Sequence, residues 1–365
     1  MASVVKRTLS DGSAAYLVRY RTPGGQQRSK QFGRRREADH FANAVEVDRA
    51  QGTLIDPRLG RLTVDEWWQR WWPTVTNLRP STRVRDEGYY RLHIQPVFGA
   101  TALNKLDRTA LRQWVANLVD PNGEGLAPAT VQKAVQILNK CVRAALDDRL
   151  IAFNPVERLP LPKIEREEMR FLTHAELAHL VDTIDERFRA FALLGGYGGL
   201  RLGEMLGLRW SRVDLLRRRV QVSEILIDLQ GHVSFGPPKT KASLRTVSLP
   251  RFVCEELSRL APAGGADPSQ LVFRSPEGFA VRPTAMRQRV WNPAVQAAGL
   301  APLRMHDLRH TAVSLWIAEG ANPKQVAVRA GHTSVSVVLD RYGHLYPEQD
   351  EELVQALESR ALAAR

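Results

Sequence analysis

Hydrophobic and polar residues alternate near the start of the chain in the way that a half-buried β-strand requires. Tyr16, Val18 and Tyr20 fall on one face of such a strand, and Arg19 and Arg21 fall on the other. A turn sequence with proline and glycine comes next, followed by a second strand-like stretch and then by residues with helical periodicity. We therefore predict a small β-sheet braced by one helix.

The pattern changes to a helical period after the first sixty residues. Thr63 and Glu66 have the spacing of a capping box, which predicts that a helix begins there. The tryptophans at 67, 68, 71 and 72 form pairs four residues apart, and such pairs favour a packed core over a surface on which bases stack. An apolar stripe over 128–148, together with helical segments at 81–98 and 106–118, predicts a four-helix domain.

Helices and short strands are mixed in the last part of the chain. A capping box from Thr173 to Glu176 begins a helix, and a glycine-rich turn at 195–199 precedes another helix. Strand-like alternation returns at 219–222, 225–227 and 244–249. Beyond it we predict helices over 252–260, 284–297, 306–319, 323–330, 334–342 and 348–362.

Two linkers, at 56–60 and at 159–168, divide these patterns. The sequence therefore predicts a multidomain protein that is predominantly α-helical with small β-sheets. Its predicted domains are a sheet and one helix over 1–58, a helical domain over 61–160 and an α+β domain over 166–365.

The charge of the chain narrows the class of partner. It has 52 Lys and Arg against 39 Asp and Glu, a formal net charge of +13. This excess favours nucleic acid over an anionic membrane, although a proteome rich in arginine would give the same total. Cys141 and Cys254 lie far apart in apolar helical patterns, which indicates buried thiols in a reducing compartment. No long apolar run or signal sequence is present, so we expect a cytoplasmic protein.

Residues that suit an anion are concentrated towards the C-terminal end. His306, Arg309 and His310 share one face of a predicted helix, where a guanidinium can hold two phosphate oxygens and an imidazole can exchange a proton. Arg201 lies after the glycine-rich turn at the start of a helix, where the helix dipole adds positive potential. Lys239 lies in a predicted turn between two strands, from which it could reach into a cleft.

His332 is predicted at a helix N-terminus, and Tyr342 lies near the end of the helix that follows. A phenol is a weak nucleophile at neutral pH because its pKa is about 10, but neighbouring cations favour the phenolate and stabilise charge on five-coordinate phosphorus. Attack by Tyr342 would leave a phosphotyrosine that conserves the bond energy for a second transfer.

Two other kinds of site fit less well. A metal site at His306, His310 and His332 has Asp307 as its one nearby acidic ligand, and adjacent arginines repel cations. No sequence signal for a serine, cysteine or threonine nucleophile is present.

Taken in order, these motifs resemble the tyrosine recombinases, the phage integrase family. The matching segments are Gly199-Leu-Arg201-Leu-Gly-Glu204, the Lys239 turn, His306-x-x-Arg309-His310, Gly331-His332 and Arg341-Tyr342-Gly343-His344. Each is weak alone, but the ordered set is highly specific. Ala330 departs from the pattern, since a leucine often precedes the Gly-His pair. The domain at 61–160 is similar to the family's core-binding domain, and 1–58 resembles the arm-type DNA-binding domain of integrases.

The resemblance implies a role for each candidate residue. Tyr342 would become linked to a 3′-phosphate of DNA and release a 5′-hydroxyl. Arg201 and Arg309 would clamp the scissile phosphate. Lys239 would protonate the leaving 5′-oxygen, with Lys241 as the alternative lysine.

The histidines complete the implied reaction: His306 would act as general acid/base, and His332 would hydrogen-bond the phosphate. No metal or other cofactor is implied, because the phosphotyrosine stores the bond energy. The resemblance also implies a C-shaped clamp around double-stranded DNA and a homotetramer that exchanges strands in pairs. A DNA-bending accessory protein or a directionality factor is a further candidate partner, and no membrane is implied.

Other cations are candidate DNA contacts outside the reacting centre. They are Lys6, Arg19 and Arg21 in the first domain, Lys133, Lys140 and Arg143 on the polar face of the 128–148 helix, and Lys241 and Arg245 beside the lysine turn. For the first group, a solvated face of an accessory domain is the alternative. The terminal segment, with Leu353, Leu357 and Leu362 at helical spacing, could pack on a neighbouring protomer or on its own domain.

The sequence thus predicts a site-specific DNA recombinase that integrates or excises a phage or mobile element. A non-catalytic DNA-binding relative is disfavoured by the complete set of candidate residues. A strand-passage enzyme with type IB topoisomerase chemistry is disfavoured by the separate arm-like domain.

Overall fold

The structure of the chain is a computed structural model that describes residues 2–22, 24–51, 54, 56, 58–165, 169–262, 265, 267–347 and 350–364, with side chains at 350–353 excepted. The chain divides into two compact units, Met1–Arg166 and Glu167–Arg365. The predicted division of the first unit into separate domains at 1–58 and 61–160 stays a prediction.

The N-terminal part of the first unit is an antiparallel sheet packed on one helix. The strands β1 (Ser3–Thr8), β2 (Ala14–Arg21) and β3 (Gln27–Phe32) lie in the order β1-β2-β3. Helix α1 (Arg35–Ala50) covers the face that carries Val18. The predicted hairpin is confirmed as β2 and β3, and β1 adds a third strand beside it.

The remainder of the first unit is helical. Its helices are α2 (Val64–Trp71), α3 (Pro80–Tyr89), α4 (Gln95–Phe98), α5 (Arg108–Val119) and α6 (Pro128–Asp147), with a π-helical segment at Tyr90–Ile94 between α3 and α4. The predicted capping box at Thr63 is confirmed. Trp67, Trp68 and Trp72 are buried, and the ring of Trp68 stacks on Tyr90 with centroids 3.8 Å apart. The tryptophans therefore belong to the core, as the spacing predicts.

The second unit mixes helices with two small sheets. Strands β4 (Val213–Asp214), β5 (Arg219–Val222) and β8 (Arg245–Ser248) form one sheet, and β6 (Ile225–Leu229) pairs with β7 (His232–Gly236) in the other. The first helices are α7 (His174–Thr183), α8 (Arg189–Gly196), α9 (Leu202–Leu206) and α10 (Arg251–Leu260). The later ones are α11 (Pro283–Ala285), α12 (Asn292–Ala297), α13 (Asp307–Ala318), α14 (Pro323–Ala330), α15 (Ser336–Tyr342) and α16 (Asp350–Ala363). The predicted class, helical with small sheets, is confirmed.

The structure corrects two predicted elements of this unit. The helix predicted over 284–297 is α11 and α12 joined by a π-helical segment, Met286–Trp291. The glycine-rich segment at 195–199 is a turn only in its second half, because Gly195 and Gly196 end α8. Their lack of a side chain lets other residues approach: a Cβ on Gly195 would lie 2.7 Å from Leu308, and one on Gly196 would lie 2.5 Å from Leu177.

Three further sequence expectations concern the cysteines, the terminal leucines and membrane-spanning segments. Cys141 and Cys254 are buried free thiols, as predicted. In α16, Leu357 and Leu362 are exposed, and the side chain of Leu353 lies outside the described residues. Among the described residues, every helix is too short or too polar to cross a membrane.

Candidate active site

Five of the six candidate catalytic residues of the second unit come from four separate segments, and the sixth, Lys239, lies in a loop between strands. Arg201 is the N-cap of α9, and the carboxylate of Glu204 in the first turn accepts a hydrogen bond from its backbone N–H. His306 is the N-cap of α13, and Arg309 lies in the first turn of that helix. His332 follows α14, and Tyr342 is the last residue of α15.

A buried carboxylate organises the arginines. Glu204 is 2% exposed, and it accepts hydrogen bonds from the backbone N–H of Arg201 (2.9 Å), from Nη1 of Arg201 (2.8 Å) and from Nη1 and Nη2 of Arg245 (3.1 and 2.9 Å). Burial alone would raise the pKa of Glu204, but Arg245 and Arg201 hold it below its ordinary value. Glu204 therefore stays ionised and fixes both guanidiniums.

Arg309 is held by backbone carbonyls. Its side chain donates to the carbonyl of Gly199 (2.6 Å) and to that of Ala330 (2.5 Å), and the residue is 3% exposed. Arg201 donates to the next carbonyl, that of Gly331, at 3.3 Å. Burial and the charge of Arg201 lower the pKa of Arg309 to about 9, so its guanidinium is still protonated at neutral pH.

The turn at Gly331 requires glycine. Its φ of +67° lies in the left-handed region, and a Cβ would meet the carbonyl oxygen of Ala242 at 3.0 Å and Cδ of Arg245 at 3.1 Å. His332 follows this turn, and α15 begins only at Ser336, so the prediction that His332 begins a helix is wrong. Burial and Arg309 lower the pKa of His332 to about 4, which leaves the imidazole neutral.

The hydroxyl of Tyr342 is engaged by a histidine. Tyr342 is 1% exposed, and its hydroxyl oxygen lies 2.6 Å from Nδ1 of His310, which is 5% exposed. Burial raises the pKa of Tyr342, while Arg309 and Arg341 act in the opposite direction.

His306 lies beside this pair. Its ring meets the edge of the His310 ring with centroids 4.9 Å apart. The residue reaches the protein surface, and the partial burial of its ring together with Arg309 lowers its pKa. Within the described part of the chain, no group of His, Cys, Asp and Glu side chains converges in a way that could hold a metal ion.

The two candidate lysines lie in a loop between two strands, as predicted. Lys239 lies in the loop between β7 and β8, and Lys241 begins the short turn Lys241–Ser243. Both residues are exposed. The choice of Lys239 over Lys241 as the reacting lysine stays a prediction.

The predicted surface cations differ in their surroundings. Arg245 is not at the surface: its side chain is 5% exposed, it pairs with Glu204, and its Nε donates to the carbonyl of Arg329 at 2.8 Å. This enclosed position differs from the surface position expected for a contact with a DNA backbone, and that contact stays a prediction. On α6, Lys140 pairs with Asp86 at 3.5 Å.

The other surface cations are exposed or partly exposed. Arg143 pairs with Glu157 at 2.8 Å, and Lys133 donates to Gln136 at 2.9 Å. Lys6 lies opposite Tyr16 in the N-terminal sheet, and cross-strand partners share a face. Lys6 is therefore on the face that α1 covers, whereas Arg19 and Arg21 are on the opposite face.

Sequence reasoning missed three features of this site. Glu204 is named within a motif but is given no role, although it lies three residues after Arg201, the spacing at which a carboxylate in the first turn of a helix accepts from the N-cap backbone N–H. The inward position of Arg245 depends on Glu204, which is 41 residues away in sequence. The contact between His310 and Tyr342 joins residues 32 apart. Of these, only the first has a local sequence signal.

Comparison with known proteins places this arrangement in a family. The model of the "Phage integrase family" matches residues 170–349, and that of the "Phage integrase, N-terminal SAM-like domain" matches residues 63–119. The chain belongs to the phage integrase family of tyrosine recombinases. It is a tyrosine-type site-specific recombinase, which confirms the predicted family and class of enzyme.

Related recombinases come from mobile elements and phages. The chain is 28% identical over 279 residues to the ICEBs1 integrase of Bacillus subtilis strain 168, covering 73% of this chain and 74% of that protein. It is 25% identical over 309 residues to the integrase of Mycobacterium phage L5, covering 82% and 80% of the two chains.

Solved structures share the fold of the recombinase. The integrase of transposon Tn1549, in complex with a circular intermediate DNA, superposes with a TM-score of 0.69 at 19% identity, over 82% of this chain and 99% of that one. A lambda integrase dimer bound to a COC′ core site gives a TM-score of 0.60 at 16% identity, over 94% and 95% of the two chains.

Proposed function

We propose that the recombinase cuts and rejoins duplex DNA of a phage or other mobile element, with Tyr342 as the nucleophile. One observation carries the assignment to these residues: the guanidiniums of Arg201 and Arg309 and the imidazole of His332 meet at the Gly331 turn. Two fixed cations beside a neutral hydrogen-bonding group suit a phosphodiester, and they would stabilise the charge of a five-coordinate phosphorus.

In this reaction each group has a distinct task. The oxygen of Tyr342 attacks phosphorus, a 3′-phosphotyrosine forms, and the 5′-oxygen leaves with a proton from Lys239. Arg201 and Arg309 hold the non-bridging oxygens, and His332 donates to one of them. His306 serves as a general acid/base at the surface of the site. The reverse attack by a 5′-hydroxyl completes strand exchange without a cofactor.

The substrate is double-stranded DNA, recognised at core-type and arm-type sites. The N-terminal sheet supports the arm-type site, because its face away from α1 carries Arg19 opposite Ser3 and Ser29 and carries Arg21 opposite Gln27. Arg pairs with guanine and Gln with adenine in the major groove, where a β-ribbon fits.

The working assembly is a homotetramer on two DNA sites. Exposed Leu357 and Leu362 on α16 are available for packing on a neighbouring protomer. A DNA-bending protein or a directionality factor is a further candidate partner, and the bacterial cytoplasm, with its nucleoid, is the proposed location. The domain at 1–58 would bind arm-type sites, the domain at 61–160 would bind core-type sites, and the domain at 166–365 would catalyse the reaction.

A nicked suicide substrate tests the proposal. When the leaving strand diffuses away, the covalent adduct accumulates and is resolved on a denaturing gel. The unmodified chain should form the adduct, and Tyr342→Phe should form none while it retains DNA binding in a gel-shift assay. Tyr346→Phe, at a half-buried tyrosine of the same segment, would serve as a control that leaves the adduct intact. An adduct that persists in Tyr342→Phe would refute the assignment of the nucleophile.

The suicide substrate and a plasmid-relaxation assay together separate two other functions. A DNA-binding relative without activity would bind the substrate and give no adduct. A type IB topoisomerase would relax supercoiled plasmid without dependence on sequence, whereas a recombinase should cleave at specific sites.

A further inference from the structure

The proton of Tyr342 must leave as the phenol attacks, and the structure places one acceptor at the hydroxyl. Nδ1 of His310 lies 2.6 Å from the oxygen, within the distance that proton transfer requires. His306, the general acid/base implied by the family resemblance, contacts the ring of His310, while the imidazole that is hydrogen-bonded to Tyr342 is that of His310.

The direction of this hydrogen bond depends on the imidazole tautomer. The hydroxyl of Tyr342 donates to Nδ1 of His310 when the imidazole proton is on Nε2. Burial and neighbouring His306 lower the pKa of His310 to about 4, so the imidazole is neutral, and in this tautomer Nδ1 carries a lone pair.

On this basis, and resting on the proposed function, we propose that His310 is a catalytic residue that accepts the hydroxyl proton of Tyr342. The O–H bond of Tyr342 breaks as Nδ1 takes the proton, and the phenolic oxygen bonds to phosphorus. The P–O5′ bond breaks, and the 5′-oxygen takes a proton from Lys239. In rejoining, a 5′-hydroxyl gives its proton to Lys239 and its oxygen bonds to phosphorus, while the phosphotyrosine bond breaks and the imidazolium returns its proton to the phenolic oxygen.

The surroundings of His310 are compatible with this transfer. The charged groups that act on it are Arg341, Asp307 and Arg304, together with the ring of His306. Without DNA the cations among them oppose an imidazolium. A bound phosphodiester adds negative charge next to Arg309, which favours the imidazolium when the proton must move.

An asparagine at this position separates proton transfer from hydrogen bonding. The amide oxygen of His310→Asn can accept a hydrogen bond near the position of Nδ1, but it cannot hold the proton. We expect single-turnover cleavage of the suicide substrate to fall roughly 10²–10⁴-fold, the usual contribution of general acid–base catalysis. DNA affinity should stay within about twofold. His310→Gln is the second variant in case His310→Asn does not fold.

Fluorination of the nucleophile provides the decisive readout. Replacing Tyr342 with 3,5-difluorotyrosine lowers the pKa of the phenol, so the rate of cleavage depends less on a general base. The defect of His310→Asn should then shrink to less than about tenfold, which a purely structural defect would not do. A 5′-phosphorothiolate substrate, whose thiolate leaves without an acid, should rescue Lys239→Ala and leave His310→Asn impaired.

Several results would overturn the inference. They are cleavage by His310→Asn within about threefold of the unmodified chain, a defect that difluorotyrosine does not reduce, and rescue of His310→Asn by the phosphorothiolate. Rescue of His306→Asn by difluorotyrosine in place of His310→Asn would assign the proton to His306. If the unmodified chain formed no adduct, the proposed function itself would be refuted.

Discussion

Glu204→Gln should destabilise the second unit and impair cleavage while it leaves DNA binding intact. The substitution keeps the shape of the side chain but removes the charge that holds Arg201 and Arg245. The Arg245 side chain is 5% exposed, so solvent cannot replace the lost carboxylate. The Arg201 side chain is 35% exposed and regains part of its solvation.

The size of the effect follows from these exposures. Removing one partner of a buried ion pair costs about 3–5 kcal/mol. The amide oxygen of glutamine keeps one acceptor, and Arg201 is partly solvated, so we expect the low end, about 3 kcal/mol. For a unit of roughly 200 residues, this corresponds to a decrease in Tm of about 6–12 °C.

The assay is thermal and urea unfolding of the full chain, with single-turnover cleavage measured in parallel. Glu224→Gln is the matched control, because Glu224 pairs with Arg209 at 2.8 Å but both side chains are about one-third exposed. Loss of this exposed ion pair should lower the free energy of unfolding by less than about 1 kcal/mol. If Glu204→Gln were no less stable than Glu224→Gln, the view that this carboxylate organises the site would be wrong.

Three further predictions follow from the same structure. Arg245→Lys should lower single-turnover cleavage at least about tenfold with little change in DNA affinity, because an ammonium cannot replace the forked contact with Glu204; equal rates would contradict this. The free energy of unfolding should fall as pH decreases from about 6.5 to about 4, because unfolded His310 binds a proton in this interval and folded His310 does not. Urea titrations at several pH values check this, and His310→Asn should show a smaller decrease. Arg19→Ala should weaken binding to arm-type DNA and reduce its salt dependence without changing cleavage at a core site; a change in the core reaction alone would exclude the sheet from DNA recognition.

Local patterns in the sequence predict those parts of the structure whose causes are local. The capping boxes at Thr63 and Thr173 were predictable because their partners are three residues away, and both are present. The tryptophan core was predictable from helical spacing. Periodicity could not reveal the π-helical segment at Met286–Trp291, because that segment keeps a helical pattern while one turn widens.

The contacts within the candidate active site were not predictable from the sequence. Family motifs select Arg201, Arg309, His332 and Tyr342 as candidates, since each motif is short and the order of the motifs is fixed, and their roles stay predictions. Their hydrogen bonds depend on segments that meet only in the folded chain. Arg245 resembles a surface cation in sequence, and only its approach to a distant carboxylate makes it internal.

The charges of the site explain why it suits a phosphodiester in particular. Three guanidiniums, those of Arg201, Arg245 and Arg309, lie around the single carboxylate of Glu204. His332 is held neutral by the same burial that lowers its pKa, so it adds a hydrogen bond without adding to the repulsion. The three guanidiniums carry more positive charge than the carboxylate of Glu204 balances, so the cluster has an excess of positive charge. A phosphodiester brings one negative charge and several acceptor oxygens, and five-coordinate phosphorus brings more. The excess is thus better matched to the transition state than to the bound substrate, which is the condition under which binding energy accelerates a reaction.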